Sequence, residues 1–330
     1  MKDILERDFK KGLEKKKTSD IQGALCIFST LASKEYLSSI KEIVKIFNQL
    51  GMKRELEHLL NLNWLDKFDN IKEDIKSIIN KKKVIAIHQP DYIPWLGWFH
   101  KVFYADEICI LDNSQWNKAS YYRRTNIRHP SKDIRKLTIP IKKCSDYENQ
   151  VNIICTDEKW RRNHLNLIKE TYRKYPYFDK EFPEFENLII ETKNTNKVNE
   201  INLLIIKRIL KYLSISTPII LSSELDIESK KNDRNIDIVK SLKGNAYYSG
   251  SQAREYNDIN SFENNKISLF YQDFYSYMSY IGNNLKSFMN GLSIIDLLFI
   301  YGRDNVIKFL KGSVEFNLRI FTEKNLKYSS

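Results

Sequence analysis

A histidine and an aspartate that can perform acid–base chemistry each follow a short apolar run in this sequence. His88 comes after VIAI and before Gln89-Pro90, which marks the carboxyl end of a predicted strand. Asp112 ends a second apolar run, residues 107–111. An imidazole and a carboxylate on one strand edge can exchange protons with a substrate or orient each other. We therefore predict that His88 is a general base and that Asp112 orients or polarises the reacting group.

A second histidine is a candidate for the same chemistry. Trp160, His164, Ile168 and Tyr172 recur at a spacing of four, which places them on one face of a predicted helix. This pattern fits a core histidine as well as a catalytic one, and we keep His164 as a third candidate catalytic residue. No ligand-type spacing joins the three residues, so no metal site is predicted.

Cationic, amide and aromatic side chains follow Asp112 in what we predict to be a single loop. They are Gln115, Trp116, Lys118, Arg123, Arg124, Asn126 and Arg128. Guanidinium groups bind phosphate or carboxylate and an aromatic face can stack on a ring, so this loop predicts an anionic small-molecule substrate. The predicted substrate-binding set takes all of these except Arg123, and adds Gln89, Tyr92, Lys101, Ser249 and Gly250.

The elements that would position these residues begin with a strand, a helix and a strand between residues 84 and 111. After Pro94, an apolar helical stripe predicts a helix packed into the core by Trp95, Trp98, Phe99, Val102 and Phe103. Further strands are predicted at 135–141, 150–155, 217–222, 246–249 and 267–270, and helices at 197–213, 235–242 and 293–301. This alternation predicts an α/β fold with a mostly parallel sheet and helices on both faces. Ligands of such sheets bind outside the carboxyl strand ends, an edge that His88 and Asp112 would share.

The first 83 residues differ from the rest of the chain. They lack proline and are dense in Leu, Ile, Lys and Glu, which predicts an all-α segment. We divide the chain into a helical extension, 1–83, and an α/β domain, 84–330. The extension offers a surface for a homo-oligomer or a complex and carries no predicted chemistry.

Composition narrows the function classes. The net charge is +12, and residues 1–83 hold 18 Lys+Arg against 13 Asp+Glu, so neither part is a dedicated basic domain and nucleic acid is not an expected partner. No apolar run of 18 residues and no secretory signal occurs, which predicts a cytoplasmic protein without a membrane span. Phosphate-loop, dinucleotide, α/β-hydrolase and zincin motifs are all absent.

Five blocks in order resemble the WbqC-like family. They are HQPDYIPWLGWFHK from His88, LDNSQWNK with YRRTNIR, KWRRNHLNLIKETYRKYPYF from Lys159, GNAYYSGSQAREY from Gly244 and SIIDLLFIYG from Ser293. The resemblance covers residues 84 to the C-terminus and leaves out the first 83. Proteins of this family are associated with gene clusters for O-antigen and other bacterial surface polysaccharides, so the resemblance implies a role in making or decorating a glycan.

From this setting we expect a transferase that moves an acyl or aminoacyl group to an amino sugar, itself nucleotide-linked. The cofactor is unknown, and an activated acyl or aminoacyl donor fits the reaction. In this hypothesis Arg124 and Arg128 hold phosphate or carboxylate, and Tyr92 or Trp116 stacks on the ring. The alternatives are a non-catalytic sugar- or nucleotide-binding assembly protein, an adenylating ligase in the same pathway, and association with RNA or membranes through the basic surface.

Overall fold

A computed structural model describes residues 2–18, 21–32, 34, 36–49, 52–129, 131, 134–145, 148–272, 274–285 and 288–323. By its internal contacts the chain forms two compact units, residues 1–83 with 311–330 and residues 84–310. The division into independently folding parts after residue 83 stays our proposal, and residues 324–330 lie outside the described ones.

The first unit is helical, as its composition predicts. Its helices are α1 (Lys2–Lys17), α2 (Ile21–Ala32), α3 (Leu37–Gln49), α4 (Lys53–Leu60) and α5 (Asp69–Lys81), with a 3₁₀ turn at Asn63–Lys67. In α3 the buried positions Ile40, Ile43, Val44 and Phe47 recur at helical spacing and give the helix one apolar face. That face belongs to a hydrophobic cluster with Ala24, Phe28, Leu56 and Ile75.

The second unit is built on a five-stranded sheet in which every pairing is parallel. Its strands are β1 (Val84–His88), β2 (Glu107–Ile110), β5 (Ile219–Leu221), β6 (Ala246–Ser249) and β7 (Ser268–Tyr271), in the order β5-β2-β1-β6-β7. Cα partners include Ile85 with Glu107 and Val84 with Ala246. The side chains of β6 are all buried, and so are the first four of β1, as expected for central strands covered on both faces. The predicted α/β fold with a mostly parallel sheet is confirmed.

Helices and a hairpin complete this unit. The helices are α6 (Leu96–Tyr104), α7 (Lys159–Tyr172), α8 (Phe178–Glu191), α9 (Val198–Tyr212), α10 (Lys231–Ser241), α11 (Ile259–Asn264), α12 (Phe274–Asn284) and the part of α13 (Ile294–Glu323) that precedes residue 311. α13 is interrupted at Gly302. The separate antiparallel hairpin joins β3 (Arg124–Arg128) and β4 (Ile134–Thr138). β3 occupies residues that we predicted as loop, and the strand predicted at 150–155 is a 3₁₀ turn at Gln150–Asn152 followed by isolated bridges.

The strand order creates a switch point between β1 and β6. From β1 the chain proceeds to β2 and β5 on one side, and it then returns to the other side of β1 to form β6 and β7. Neighbouring connections that leave in opposite directions open a crevice at the carboxyl ends of the two central strands. In this chain the crevice therefore lies beside β6, on the side of β1 away from β2.

Residues 84–310 are expected to fold alone, because the sheet, the hairpin and the cluster that contains Ile85, Cys109, Val239 and Phe262 lie within them. The fragment should melt in one cooperative transition by circular dichroism. A broad, non-cooperative transition would instead show that the remaining residues complete its core.

Candidate functional site

A cavity of about 440 Å³ opens at the carboxyl ends of β1, β6 and β7. His88 and Gln89 border it from β1, Gly250 from β6 and Gln272 from β7. It therefore lies at the switch point, where ligands of open α/β sheets bind. The predicted site residues that line it are His88, Gln89, Tyr92, Lys101 and Gly250.

Three ionisable side chains meet in the cavity. Lys101, on α6, is 5% exposed, and its Nζ donates to the carbonyl oxygen of Ile87 at 3.2 Å. Asp91 is 9% exposed, and its Oδ2 lies 3.8 Å from Nδ1 of His88. The same Nδ1 lies 3.0 Å from the carbonyl oxygen of Gln89, to which it donates. Nε2 of His88 is then the acceptor nitrogen of a neutral imidazole.

Burial changes the ionisation of all three groups. It raises the pKa of Asp91 to about 7, although the ammonium of Lys101 acts in the opposite direction. It lowers the pKa of Lys101 to about 8 against the attraction of Asp91. The pKa of His88 falls to about 3, first through burial and second through Lys101. Near neutral pH the cavity thus holds a half-titrated carboxyl group beside a protonated amine and a neutral imidazole.

The turn that carries Asp91 has a strained backbone at its end. Ile93 has a φ of 43°, in the left-handed region that costs a β-branched residue roughly 1 to 3 kcal/mol. Its carbonyl oxygen accepts the hydroxyls of Thr125 and Ser293, each at 2.9 Å. Tyr92 N also donates to the carbonyl oxygen of Tyr121 at 3.0 Å. Hydrogen bonds from distant segments therefore hold this turn in place.

An aromatic pair also borders the cavity. The indole of Trp95 stacks on the ring of Tyr275, with centroids 5.8 Å apart and planes 30° apart. A Cβ atom on Gly97 would lie 2.2 Å from the Trp95 ring, so only glycine lets the indole lie across the first turn of α6. All three of Trp95, Trp98 and Phe99 are predicted to be core residues. Trp98 and Phe99 are buried, although Trp98 also lines the cavity, whereas Trp95 is half-buried and lines it.

Tyr92 and His164 are bonded to each other. The Tyr92 hydroxyl lies 2.9 Å from His164 Nδ1, and His164 Nε2 lies 3.3 Å from the carbonyl oxygen of Thr138. Because that carbonyl can only accept, Nε2 carries the proton and Nδ1 accepts from the tyrosine. Burial lowers the pKa of His164 to about 4, so the ring is neutral. His164 does not line the cavity. It is linked to the cavity lining by its hydrogen bond to Tyr92.

Asp112 lies outside the cavity. Its carboxylate accepts the Ser223 amide at 2.9 Å and the hydroxyls of Ser222 and Ser223 at 3.1 and 2.6 Å. These serines follow β5, the outer neighbour of β2. The structure therefore brings Asp112 to the polar groups of β5, and the pair that we predicted with His88 is not formed.

Arg128 and Asn126 are held inside the fold by the hairpin. Arg128 is 7% exposed, and its Nε and Nη2 donate to Asp296 at 3.1 and 3.0 Å. Tyr172 donates its hydroxyl to the same carboxylate at 2.9 Å. Asn126 is 9% exposed and pairs with Lys136 across the hairpin. Neither residue lines the cavity, although Thr125 of the same strand does.

The other predicted binding residues also lie away from the cavity lining. Gln115 and Lys118 are exposed, Trp116 is buried, and Arg124 is half-buried with its guanidinium donating to the carbonyl oxygen of Ala119. Ser249 is 1% exposed and accepts the Asn257 amide at 3.2 Å. The predicted anion-binding loop is therefore not gathered at the switch point.

Asp91 is the residue that the sequence reasoning missed. It lies three residues after His88 in a segment with prolines at 90 and 94, and such turns often carry functional side chains. Its position three residues after His88 and between the two prolines could have identified Asp91 as a candidate from the sequence alone.

The described residues contain no group of three His, Cys, Asp or Glu side chains that could hold a metal ion. Among the described helices, none combines the length and apolar content that a membrane crossing requires.

Comparisons with known proteins agree with the blocks quoted above. The sequence model of the WbqC-like protein family matches residues 89–308. The uncharacterized protein Rv1507c of Mycobacterium tuberculosis (strain ATCC 25618 / H37Rv) is 26% identical over 223 residues, which cover 67% of this chain and 95% of that protein. About a third of this chain thus has no counterpart in that relative. No solved structure matches this chain significantly.

The Arg128–Asp296 pair leads to a stability prediction. Arg128→Met should lower the free energy of unfolding by roughly 3 to 5 kcal/mol, because it leaves a carboxylate buried without its cation. Arg128→Met with Asp296→Leu should recover much of the loss, and Arg124→Ala is the matched control, with a change of about 1 kcal/mol or less. Chemical denaturation measures all four proteins. A small loss in Arg128→Met would return this arginine to the list of candidate ligand contacts.

Proposed function

The chain belongs to the WbqC-like protein family, and from that premise we propose that it is a transferase that modifies a sugar for a bacterial surface polysaccharide. The group transferred is acyl or aminoacyl, and the acceptor is the amino group of a sugar, itself linked to a nucleotide. The family membership supports a sugar as the substrate. The ionisable groups in the switch-point cavity support the reaction type.

The observation that carries the proposal is the state of Asp91. In the described part of the chain no group donates a hydrogen bond to its carboxylate, although the residue is buried and lines the cavity. Its oxygens open on the cavity, so a ligand that displaces solvent from the cavity must supply them with a donor. An ammonium or amine of a bound sugar is such a donor. Lys101 on the same cavity wall keeps part of Asp91 ionised for this contact.

The reaction then follows from the roles of three side chains. Asp91 takes a proton from the sugar amine, whose nitrogen attacks the carbonyl carbon of an activated acyl or aminoacyl donor. The new C–N bond forms, the bond to the donor's leaving group breaks, and the leaving group departs with the electron pair. The Lys101 ammonium stabilises the negative charge that develops on the carbonyl oxygen. Nε2 of His88, a weak base at its lowered pKa, accepts a hydrogen bond that orients the sugar.

Mass-spectrometric screening of the purified protein with nucleotide-linked amino sugars and acyl or aminoacyl donors tests this proposal. Asp91→Asn keeps the shape of the side chain and removes the base, so turnover should fall roughly 100- to 10,000-fold with binding retained. His88→Asn, which keeps one hydrogen-bonding group, should lose much less. A larger loss in His88→Asn would assign the proton transfer to His88. Binding without turnover across the whole donor panel would favour a sugar-binding assembly protein.

The pH profile of kcat/KM provides a second test. Asp91 must be deprotonated, so the rate should rise as pH increases through about 7, and Lys101 must be protonated, so the rate should fall above about 8. These limbs describe the coupled pair. In Lys101→Met the falling limb should disappear, and the rising limb should move to higher pH because the cation that lowers the pKa of Asp91 is gone. A rate that does not change with pH near 7 would exclude Asp91 as the base.

The strand order favours one rival reaction. A parallel sheet with a ligand crevice at its switch point also describes many nucleotide-binding folds. An adenylating ligase would release pyrophosphate from ATP in the presence of a carboxylic acid. Pyrophosphate release that depends on Asp91 and needs no amino sugar would support this rival over the transferase.

A further inference from the structure

Gln272 presents an oriented hydrogen-bond acceptor to the cavity. It follows β7, is 5% exposed, and its Nε2 lies 2.7 Å from the carbonyl oxygen of Gly97 and 3.1 Å from Nδ1 of His100. The Gly97 oxygen can only accept, so the nearer amide atom must be the nitrogen. Both amide hydrogens are used in these two bonds. The side-chain oxygen is therefore the group that Gln272 offers to the cavity that it lines.

His100 prevents the Gln272 side-chain amide from adopting the flipped orientation, in which its oxygen and nitrogen exchange places. Its ring is 3% exposed and packs between Tyr104 and Phe274, with centroid distances of 4.4 and 4.0 Å. Burial lowers its pKa to about 3, so the ring is neutral and Nδ1 can accept. A reversed Gln272 would place its oxygen against two acceptors. The orientation of the amide is thus fixed before a ligand arrives.

The cavity lining is poor in cations, and it combines three acceptors with hydroxyl and amide groups that can donate as well as accept. Asp91, Nε2 of His88 and the Gln272 oxygen are acceptors, and Lys101 is the one cationic side chain among the described residues that line the cavity. No arginine is among them. Phosphate sites in proteins typically gather several cations or amide donors. This lining suits a ligand with several N–H and O–H donors instead.

We propose that Gln272, Trp95 and Tyr275 form a sugar subsite that excludes phosphate. One face of the sugar ring lies against the Trp95–Tyr275 pair, and one ring hydroxyl donates to the Gln272 oxygen. The nucleotide of a nucleotide-linked sugar stays outside this part of the cavity. The subsite rests on the proposed function in taking a sugar as the ligand, and it assigns specificity to residues with no part in the proton transfer.

The aromatic part of the subsite can be tested with glucosamine as the probe, by calorimetry or saturation-transfer NMR. Tyr275 is 41% exposed and Tyr280, also on α12, is 45% exposed, so neither alanine variant should affect folding. Tyr275→Ala should weaken binding roughly 3- to 10-fold, the usual size of a lost stacking contact. Tyr280, which does not line the cavity, is the matched control, and Tyr280→Ala should bind like the wild type.

Derivatives of glucosamine with single hydroxyls replaced by fluorine test the Gln272 contact, because fluorine cannot donate. In the wild type one derivative should bind roughly 5- to 30-fold more weakly, since the Gln272 oxygen loses its donor. Gln272→Leu should abolish this difference between glucosamine and that derivative. Gln252→Leu, which changes an exposed glutamine of the same cavity, should preserve it. Thermal unfolding checks that Gln272→Leu is folded, and the Tyr275 comparison does not depend on that variant.

Several outcomes would overturn the subsite. They are no glucosamine binding in the wild type, equal fluorine penalties in all variants, and tight binding of uridine diphosphate alone that Tyr275→Ala weakens. The last result would place the nucleotide on the aromatic pair. If sugar binding depends on Tyr275 and Gln272 but no transfer occurs, the subsite is supported and the transferase proposal is excluded. If transfer occurs and the KM for the sugar is unchanged in both variants, the transferase proposal is supported and the subsite is excluded.

Discussion

The carbonyl oxygen of Ile93 is the point on which the geometry of the candidate site depends. Two hydroxyls bond to it, one from β3 and one from the residue before α13, although Thr125 and Ser293 are far apart in the chain. These bonds offset a left-handed backbone that isoleucine rarely adopts. The resulting turn lets Asp91 line the cavity while the Tyr92 hydroxyl bonds to His164. Packing of the hairpin and of the start of α13 thereby sets the position of the Asp91 carboxylate.

The strands and the helix around His88 could be predicted from the sequence, but the strands that lie beside them at the cavity could not. Apolar runs and the Pro94 start signal predict β1, α6 and β2, and the cavity is lined by His88 from β1 and Lys101 from α6. The sequence predicts Asp112 beside His88 because both end strands that share a carboxyl edge, and β1 and β2 are indeed parallel neighbours. The ligand crevice lies on the other side of β1, next to β6. No local signal near residue 88 specifies a strand that begins at residue 246.

Arg128 shows a second limit of local reasoning. A cluster of Arg, Lys and Asn reads as a solvent-exposed binding loop, but Thr125 and Ile127 make a strand that pairs with β4 and buries the residues beside them. The acid that neutralises Arg128 is Asp296, 168 positions later. Asp91 is the converse case. Its sequence context resembles an ordinary turn, and only the fold shows that the residue is largely buried at the cavity, where no described group donates a hydrogen bond to its carboxylate.

The electrostatics of the cavity make its residues interdependent. Lys101 lowers the pKa of both Asp91 and His88, and Asp91 in turn raises the pKa of Lys101. Removal of the lysine therefore also raises the pKa of Asp91, so at neutral pH the loss of the cation would partly look like the loss of a base. Substitutions at interacting sites are not additive, so the two contributions separate only in a double-mutant cycle measured on both sides of the Asp91 titration. The energy that couples these two side chains, and not either group alone, determines whether the cavity holds a base and a cation at the same pH.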